Sequence, residues 1–239
     1  MKKKVILISG CSNGLGKDLS RYYYKKGYVV VGFGANLKLK NKKNFFYKIV
    51  NLKSKEKIKN FLNHVLKKFK KIDYFINNAG IAPVSFPALL NNYSFINEVF
   101  KINVIGQMFL INEVAKIMIK NKFGRIINIS SMSVPLNLEG TSLYSSSKIA
   151  IEKYLKILSK EISYKNNMDI TLNTLRVSMY KSKSLDELGE STINKAKQNL
   201  NYKNIIKIQE LTNIINPLLN KKGVSLSGQI LNLGLIDGN

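Results

Sequence analysis

Ser131, Tyr144 and Lys148 stand thirteen and four residues apart near the middle of the chain, downstream of three glycines at Gly10, Gly14 and Gly16. A tyrosine and a lysine four apart on a helix share one face, so the ammonium lies beside the phenol and favours its ionised form. A phenol so placed exchanges protons near neutral pH. Glycines between a strand and a helix let a pyrophosphate approach free amides at the helix N-terminus. Together these residue types point to nucleotide-dependent redox chemistry.

Spacing alone does not single out the central set. Twelve tyrosines in a chain this rich in lysine give roughly two Tyr-x-x-x-Lys matches by chance, and two occur. The second is Tyr22 with Lys26, and it also has a serine, Ser9, thirteen residues upstream. The elements around each copy must separate them.

Short apolar runs alternate with longer amphipathic segments, the pattern of βαβ units and a parallel sheet. Strands are predicted at residues 5–9, 28–33, 45–50, 72–77, 125–130, 170–177 and 229–233, and helices at 15–26, 54–69, 93–120, 144–164 and 206–219. No internal repeat, linker or low-complexity tail interrupts the series. The expectation is one doubly wound, Rossmann-like α/β domain over residues 1–239, with a parallel sheet of about seven strands flanked by helices. A substrate lid is expected at about 179–200.

Composition agrees with one large domain, since 239 residues with 45% hydrophobic side chains are ample for a continuous core. The basic start is followed by an apolar run shorter than the roughly 7–15 residues of a secretory h-region. No uninterrupted apolar stretch approaches the ~20 residues of a membrane span. The single cysteine, Cys11, cannot form an internal disulfide and reads as a small filler, so a cytoplasmic protein is expected. His64 reads as a surface residue, and no histidine pair, Cys-x-x-Cys or acidic cluster offers a metal site.

The formal charge of +25 raises the question of nucleic acid. Only Arg21, Arg125 and Arg176 of the 39 basic residues are arginine, the residue best suited to phosphate and base contacts. Lysine is instead spread along the chain with abundant asparagine and isoleucine, which reads as a compositional bias. No specific nucleic-acid partner is expected.

The ordered motifs resemble the single-domain short-chain dehydrogenases/reductases over nearly the whole chain. The resemblance rests on Gly10-x-x-x-Gly14-x-Gly16, Asn77-Asn78-Ala79-Gly80, Asn103, Ser131 and Tyr144-Ser145-Ser146-Ser147-Lys148, with Ser227-Gly228-Gln229-Ile230-Leu231 similar to the last strand. It separates the two copies, because only Ser131, Tyr144 and Lys148 follow the Asn-Asn-Ala-Gly element in family order.

What the resemblance implies is interconversion of a ketone and a secondary alcohol by hydride transfer. Tyr144 would be the general acid or base, Ser131 would hydrogen-bond the same oxygen, and Lys148 would bind the nicotinamide ribose. The family asparagine matching Asn103 distorts its helix and holds a water in the proton relay. Cofactor contacts are expected from Gly10, Ser12, Asn13, Gly14, Leu15 and Gly16, then from Asn51, Leu52, Asn78, Ala79 and Gly80, and from Val177 and Ser182. Val177-Ser178 stands where the family usually has Pro-Gly.

At the end of the second strand an acid selects NAD and a base selects NADP. No acid occurs between Asp18 and Glu56, while Ala35-Asn36 is followed by Lys38 and Lys40, so the sequence leans toward NADP(H) over NAD(H), with Asn36 at the ribose. The expected substrate is a small carbonyl or alcohol, carrier-linked acyl group or sugar precursor. Family members commonly pair through the helices matching 93–120 and 144–164, giving a homodimer or homotetramer. The alternative function is an inactive nucleotide-binding regulatory protein of the same fold.

Overall fold

Val5–Ser9 reads VILIS, and a strand this apolar on successive residues needs cover on both faces. In the computed structural model, which describes residues 3–35, 39–82, 87–163, 168–180, 205–220 and 226–234, this segment is β1 and all five residues are buried. It is followed by α1 (Gly14–Lys25), β2 (Val29–Gly34), β3 (Phe45–Ile49), α2 (Lys55–Phe69), β4 (Tyr74–Asn77), the long helix α3 (Tyr93–Lys120) and β5 (Phe123–Ser131). Then come the short α4 (Ser133–Leu136), α5 (Ser142–Ser163), β6 (Asp169–Val177), α6 (Ile208–Leu219) and β7 (Ile230–Leu233).

All seven strands join one parallel sheet in the order β3-β2-β1-β4-β5-β6-β7. Every predicted strand and helix is present, and the observed ends differ from the predicted ones by two residues at most. β4 begins late because Asp73, 4% exposed, turns its carboxylate to the Val5 amide at 2.7 Å and to Lys4 and Lys71. The turn at Ala88–Leu90 and α4 have too few residues to show a period in the sequence.

Alternate residues of the central strands feed two cores. Leu7, Val31, Phe75 and Ile126 pack under α2, α3 and α5, while Ile6, Ile8, Val30 and Ile127 pack under α1 and α6. Each fully buried aliphatic side chain contributes about 1.5–3 kcal/mol, so the central strands anchor the sheet. Ser54 starts α2 by accepting from the Lys57 amide at 3.2 Å, and Lys70 ends it in the left-handed conformation at φ +68°.

α3 is long and apolar enough to cross a membrane by length and composition, with a mean hydropathy of 1.4 over its best 18 residues. Half of that window is buried inside the protein. Val99, Leu110, Ile111 and Val114 are fully buried, which accounts for the hydropathy as core packing. The strand order reverses direction between β1 and β4, and a crevice outside the carboxyl ends of those strands is the expected ligand site of such a sheet.

Candidate active site

The loop leaving β1 is shaped by close backbone approach. Gly10 has φ +67°, and a Cβ there would lie 2.7 Å from the Ala79 Cα at the exit of β4. A Cβ on Gly16 would run into the Gly10 carbonyl oxygen and lie 2.6 Å from Asn78 Nδ2. Side chains at either position would push the first turn of α1 away from β4. That turn holds no acid, and Asn13 makes no capping hydrogen bond, so the amides at the positive end of α1 face a cleft without a side-chain partner.

The cleft has a volume of about 610 Å³. It is lined by Gly10, Ser12, Asn13, Gly14 and Leu15 from the loop, by Phe33, Gly34 and Ala35 at the end of β2, by Val50, Asn51 and Leu52 after β3, and by Asn78, Ala79, Gly80, Ile81 and Ile102. Glycine surfaces and open amides suit an anionic pyrophosphate. The apolar and amide edges of Val50, Asn51 and Leu52 suit an aromatic base. The residues present therefore fit a dinucleotide.

A buried polar network holds the cleft's floor. Ser9 Oγ accepts from the amides of Asn78 and Ala79, each at 2.9 Å, and donates to Asn77 Oδ1. Asn77 Nδ2 donates at 2.9 Å to both Gln107 and Asn128, and Gln107 Nε2 donates to the Ala79 carbonyl. Asn78 Nδ2 spans the carbonyls of Ser9 and Gly10 at 3.2 Å. The network holds β1, β4, β5 and α3 in one register, although the buried Asn128 Nδ2 has no partner within it.

Ser131 ends β5, and its Oγ accepts from the Ser133 amide at 3.1 Å as the chain turns into α4. Tyr144 and Lys148 lie one turn apart on α5, with Lys148 Nζ 5.5 Å from the Tyr144 ring centroid. Lys148 is 5% exposed, and its ammonium donates to the Ile129 carbonyl at 3.1 Å. That bond aims a buried cation along the β5 edge that carries Ser131.

Within α3 the chain makes a π turn at Lys101–Gly106, where one extra residue per turn rotates Asn103 inward. Asn103 is fully buried. It accepts from the Ile81 amide at 2.9 Å, donates to the Ile81 carbonyl at 2.8 Å, and donates to Ser147 Oγ at 3.1 Å. Ser147 Oγ in turn donates to the Tyr144 carbonyl at 2.7 Å. The π turn closes on Gly106, where a Cβ would strike the Leu52 carbonyl. Asn103 thus ties the cleft wall at Ile81 to the helix that carries Tyr144.

α5 is clamped from beneath one turn past Lys148. Glu152, 2% exposed, accepts from Ser130 Oγ at 2.6 Å and takes Arg176 through both Nε and Nη2, at 3.0 and 2.7 Å. Removing one partner of a buried bidentate pair strands the other charge, which costs about 3 kcal/mol or more. Arg176→Ala is expected to lower Tm by about 6–12 °C in a chain of this size, read by thermal unfolding.

The second Ser-Tyr-Lys copy has the same local geometry in a different place. Lys26 Nζ lies 5.7 Å from the Tyr22 centroid. The Tyr22 hydroxyl accepts from Asn216 Nδ2 of α6 at 2.8 Å, and the ring packs in the core between α1 and α6. Ser9 is fully buried in the floor network. The glycine cleft is lined by none of Ser9, Tyr22 and Lys26.

The structure brings together most of the residues singled out in the sequence. Gly16 lies beneath the loop, and Val177 is buried on β6 in register with Ser131. Asn51 turns Oδ1 to the Lys53 amide at 2.9 Å, so its side-chain oxygen already serves the turn after β3. Cys11 is fully buried under Gly32, and burial pushes its thiol up to about 12, as suits a filler. Asn36, Ser182 and most of the expected lid at 179–200 lie outside the described residues. Sequence reasoning singled out Asn77 only as part of its motif and missed Gln107, Asn128 and the true role of Ser9; the available signal was a polar residue inside an otherwise apolar strand or helix face.

Comparison with known proteins agrees with this arrangement. The family model described as short chain dehydrogenase matches residues 4–192. The chain is 29% identical to the 3-oxoacyl-(acyl-carrier-protein) reductase FabG of Buchnera aphidicola subsp. Schizaphis graminum, covering 98% of this chain and 96% of that one. It is 32% identical to the same-named protein of Rickettsia typhi over 78% of this chain and 77% of that one. Among solved structures, ElxO with NADP bound matches with TM-score 0.85 at 22% identity over 97% of both chains, and 4-hydroxyisoleucine dehydrogenase complexed with NADH with TM-score 0.83 at 22% identity over 99% and 100%. The two structural likenesses establish the fold. With the glycine cleft, Ser131, Tyr144 and Lys148 at one end of the sheet, the chain belongs to the short-chain dehydrogenase/reductase family and is an NAD(P)-dependent oxidoreductase acting between CH–OH and C=O.

Proposed function

We propose that the chain is an NADP(H)-dependent reductase of carrier-linked 3-oxoacyl groups, with Tyr144 as general acid. One observation carries the reading. The basic set on β5 and α5 and the glycine cleft on β1 and β4 open at the same carboxyl edge of one sheet. The full-length likeness to a 3-oxoacyl-(acyl-carrier-protein) reductase supports the substrate class. The formal charge of +25 suits an acidic carrier. The intact Ser131, Tyr144 and Lys148 set speaks against an inactive regulatory protein.

A bound nicotinamide would supply the hydride, held by Gly10, Gly14, Gly16, Asn78 and Gly80 at its phosphates and riboses. As charge builds on the substrate oxygen, the Tyr144 hydroxyl donates its proton there and Ser131 donates a hydrogen bond. The Lys148 ammonium beside the ring stabilises the phenolate left behind. Asn103 holds α5 against Ile81 and keeps Tyr144 in place. A second cleft of about 430 Å³, lined by Ala88, residues 137–142, Ser145 and Ser146, takes in the first turn of the helix that carries Tyr144 and is the proposed entry for the acyl group.

The same reading places the protein in the cytoplasm as a dimer or tetramer. Exposed Ile105 on α3 and Ile149 and Ile157 on α5 supply apolar surface for pairing of these helices. The test is a panel of ketones and 3-oxoacyl thioesters, free and carrier-linked, followed by loss of reduced-nicotinamide absorbance with NADPH and NADH. Fastest turnover is expected for a carrier-linked 3-oxoacyl group with NADPH. Nucleotide binding with no turnover on any member would favour the regulatory reading.

A further inference from the structure

β2 carries glycine at two successive positions of one face, Gly32 and Gly34. Their missing side chains leave a trough filled from outside the strand. The Cys11 sulfur occupies the place of a Gly32 side chain, and a Cβ on Gly32 would lie 3.7 Å from the Tyr47 ring. At Gly34 a Cβ would stand 2.6 Å from Ser12 Oγ and 2.8 Å from the Tyr47 hydroxyl oxygen. Two hydroxyls, one from the glycine loop and one from β3, thus take up the room of a side chain at the end of β2.

Tyr47 is 4% exposed, and its hydroxyl meets no partner with hydrogen-bond geometry, although the Ser12 hydroxyl stands beside it. A buried hydroxyl left unpaired is costly and calls for a reason. Its position supplies one. The end of β2 is where a dinucleotide fold distinguishes the ribose, and an acid there accepts from a free 2′-hydroxyl. At Gly34 an acid has no room, because Ser12 and Tyr47 already fill the space of its side chain. Ser12 and Gly34 line the cleft directly, and Tyr47 stands one layer behind them.

We infer that Tyr47 is a positioning residue for cofactor choice, orienting Ser12 toward the 2′-phosphate of NADP(H). In the loaded protein the Tyr47 O–H donates to Ser12 Oγ, and the Ser12 proton is directed outward to a phosphate oxygen. A chain of two hydroxyls ending on an anion strengthens both bonds. A free 2′-hydroxyl offers no charge to complete that chain. The inference rests on the cleft being the nucleotide site, and it names a residue outside the cleft lining as a determinant of which nucleotide is preferred.

The experiment titrates NADPH and NADH by nucleotide fluorescence into the full chain as wild type, Ser12→Ala, Tyr47→Phe and the double variant, with thermal unfolding of each in the absence of nucleotide. Tyr47→Phe is expected to weaken NADPH about five- to tenfold and to leave NADH within about twofold. The double variant should bind NADPH no more weakly than Ser12→Ala alone, because the phenol acts through Ser12. The Tm of nucleotide-free Tyr47→Phe should equal or exceed that of wild type, since no partner is left unpaired. Equal losses for both nucleotides, additive losses, unchanged NADPH affinity or a lowered nucleotide-free Tm would each overturn the inference. A wild-type protein that binds neither nucleotide would instead sink the reading of the cleft itself.

Discussion

Tyr144→Phe is expected to bind nucleotide with wild-type affinity and to lose turnover by roughly a hundred- to ten-thousand-fold, the range a general acid supplies. The ring stays, so its packing beside Lys148 is kept; only the transferable proton goes. Tyr22→Phe serves as the matched control. Tyr22 has a lysine at nearly the same distance over its ring, 5.7 Å against 5.5 Å, so any effect of the local Tyr-Lys pair alone would appear in both variants. Its hydroxyl accepts one bond from Asn216, and losing that bond costs about 1 kcal/mol of stability without touching turnover. Steady-state kinetics on the best substrate of the panel, with nucleotide affinity measured alongside, checks the pair. Comparable loss of turnover in both variants would remove Tyr144 from its proposed role.

That control also marks how much was legible in the chain. The strands were readable because β1, β2 and β5 are buried on both faces, and such strands must be apolar on successive residues. The glycine loop was readable because its backbone spacing is set by contact with Ala79 and Asn78, which tolerates no side chain. The two Ser-Tyr-Lys copies were separable only by order along the chain, since their local geometry is the same. What decides between them is tertiary: one hydroxyl meets Asn216 of α6 at the edge of the core, and the other lies on the helix whose Ser142, Ser145 and Ser146 line a cleft.

The π turn of α3 left no periodic signal. One extra residue in a 28-residue helix shifts the phase by a fraction of a turn, and Ile102, Val104 and Ile105 are apolar on every face. Ser9 was readable only as part of an accidental spacing, because its partners are backbone amides 69 and 70 residues away. The pair of Glu152 with Arg176 joins a helix to a strand 24 residues on, and neither residue type marks a partner in advance. Tyr47 likewise looked like one more aromatic in a β-strand, and its meaning depends on two glycines in the neighbouring strand.

Gly16→Ala is expected to weaken NADPH binding at least about a hundredfold, because it displaces the open amides of α1 from the cleft they face. The added methyl would meet the Gly10 carbonyl oxygen and would stand 2.6 Å from Asn78 Nδ2 and 2.8 Å from the Gly10 carbonyl carbon. Two of these are backbone atoms of a tight turn, so the strain is relieved by moving the helix start, not by rotating a side chain. Gly27→Ala separates this from the general cost of replacing glycine. Gly27 has φ +84° with nothing within 4 Å of an added Cβ, so alanine there pays only conformational strain of about 1–2 kcal/mol. Its Tm should fall by about 2–8 °C while NADPH affinity stays at the wild-type value. Fluorescence titration and circular dichroism on both variants decide the matter. If Gly16→Ala were folded and bound NADPH as wild type does, the α1 N-terminus would not be the phosphate site. If Gly27→Ala lost the nucleotide to the same degree, global destabilisation would explain both, and the cradle would have to be sought elsewhere along the carboxyl edge of the sheet.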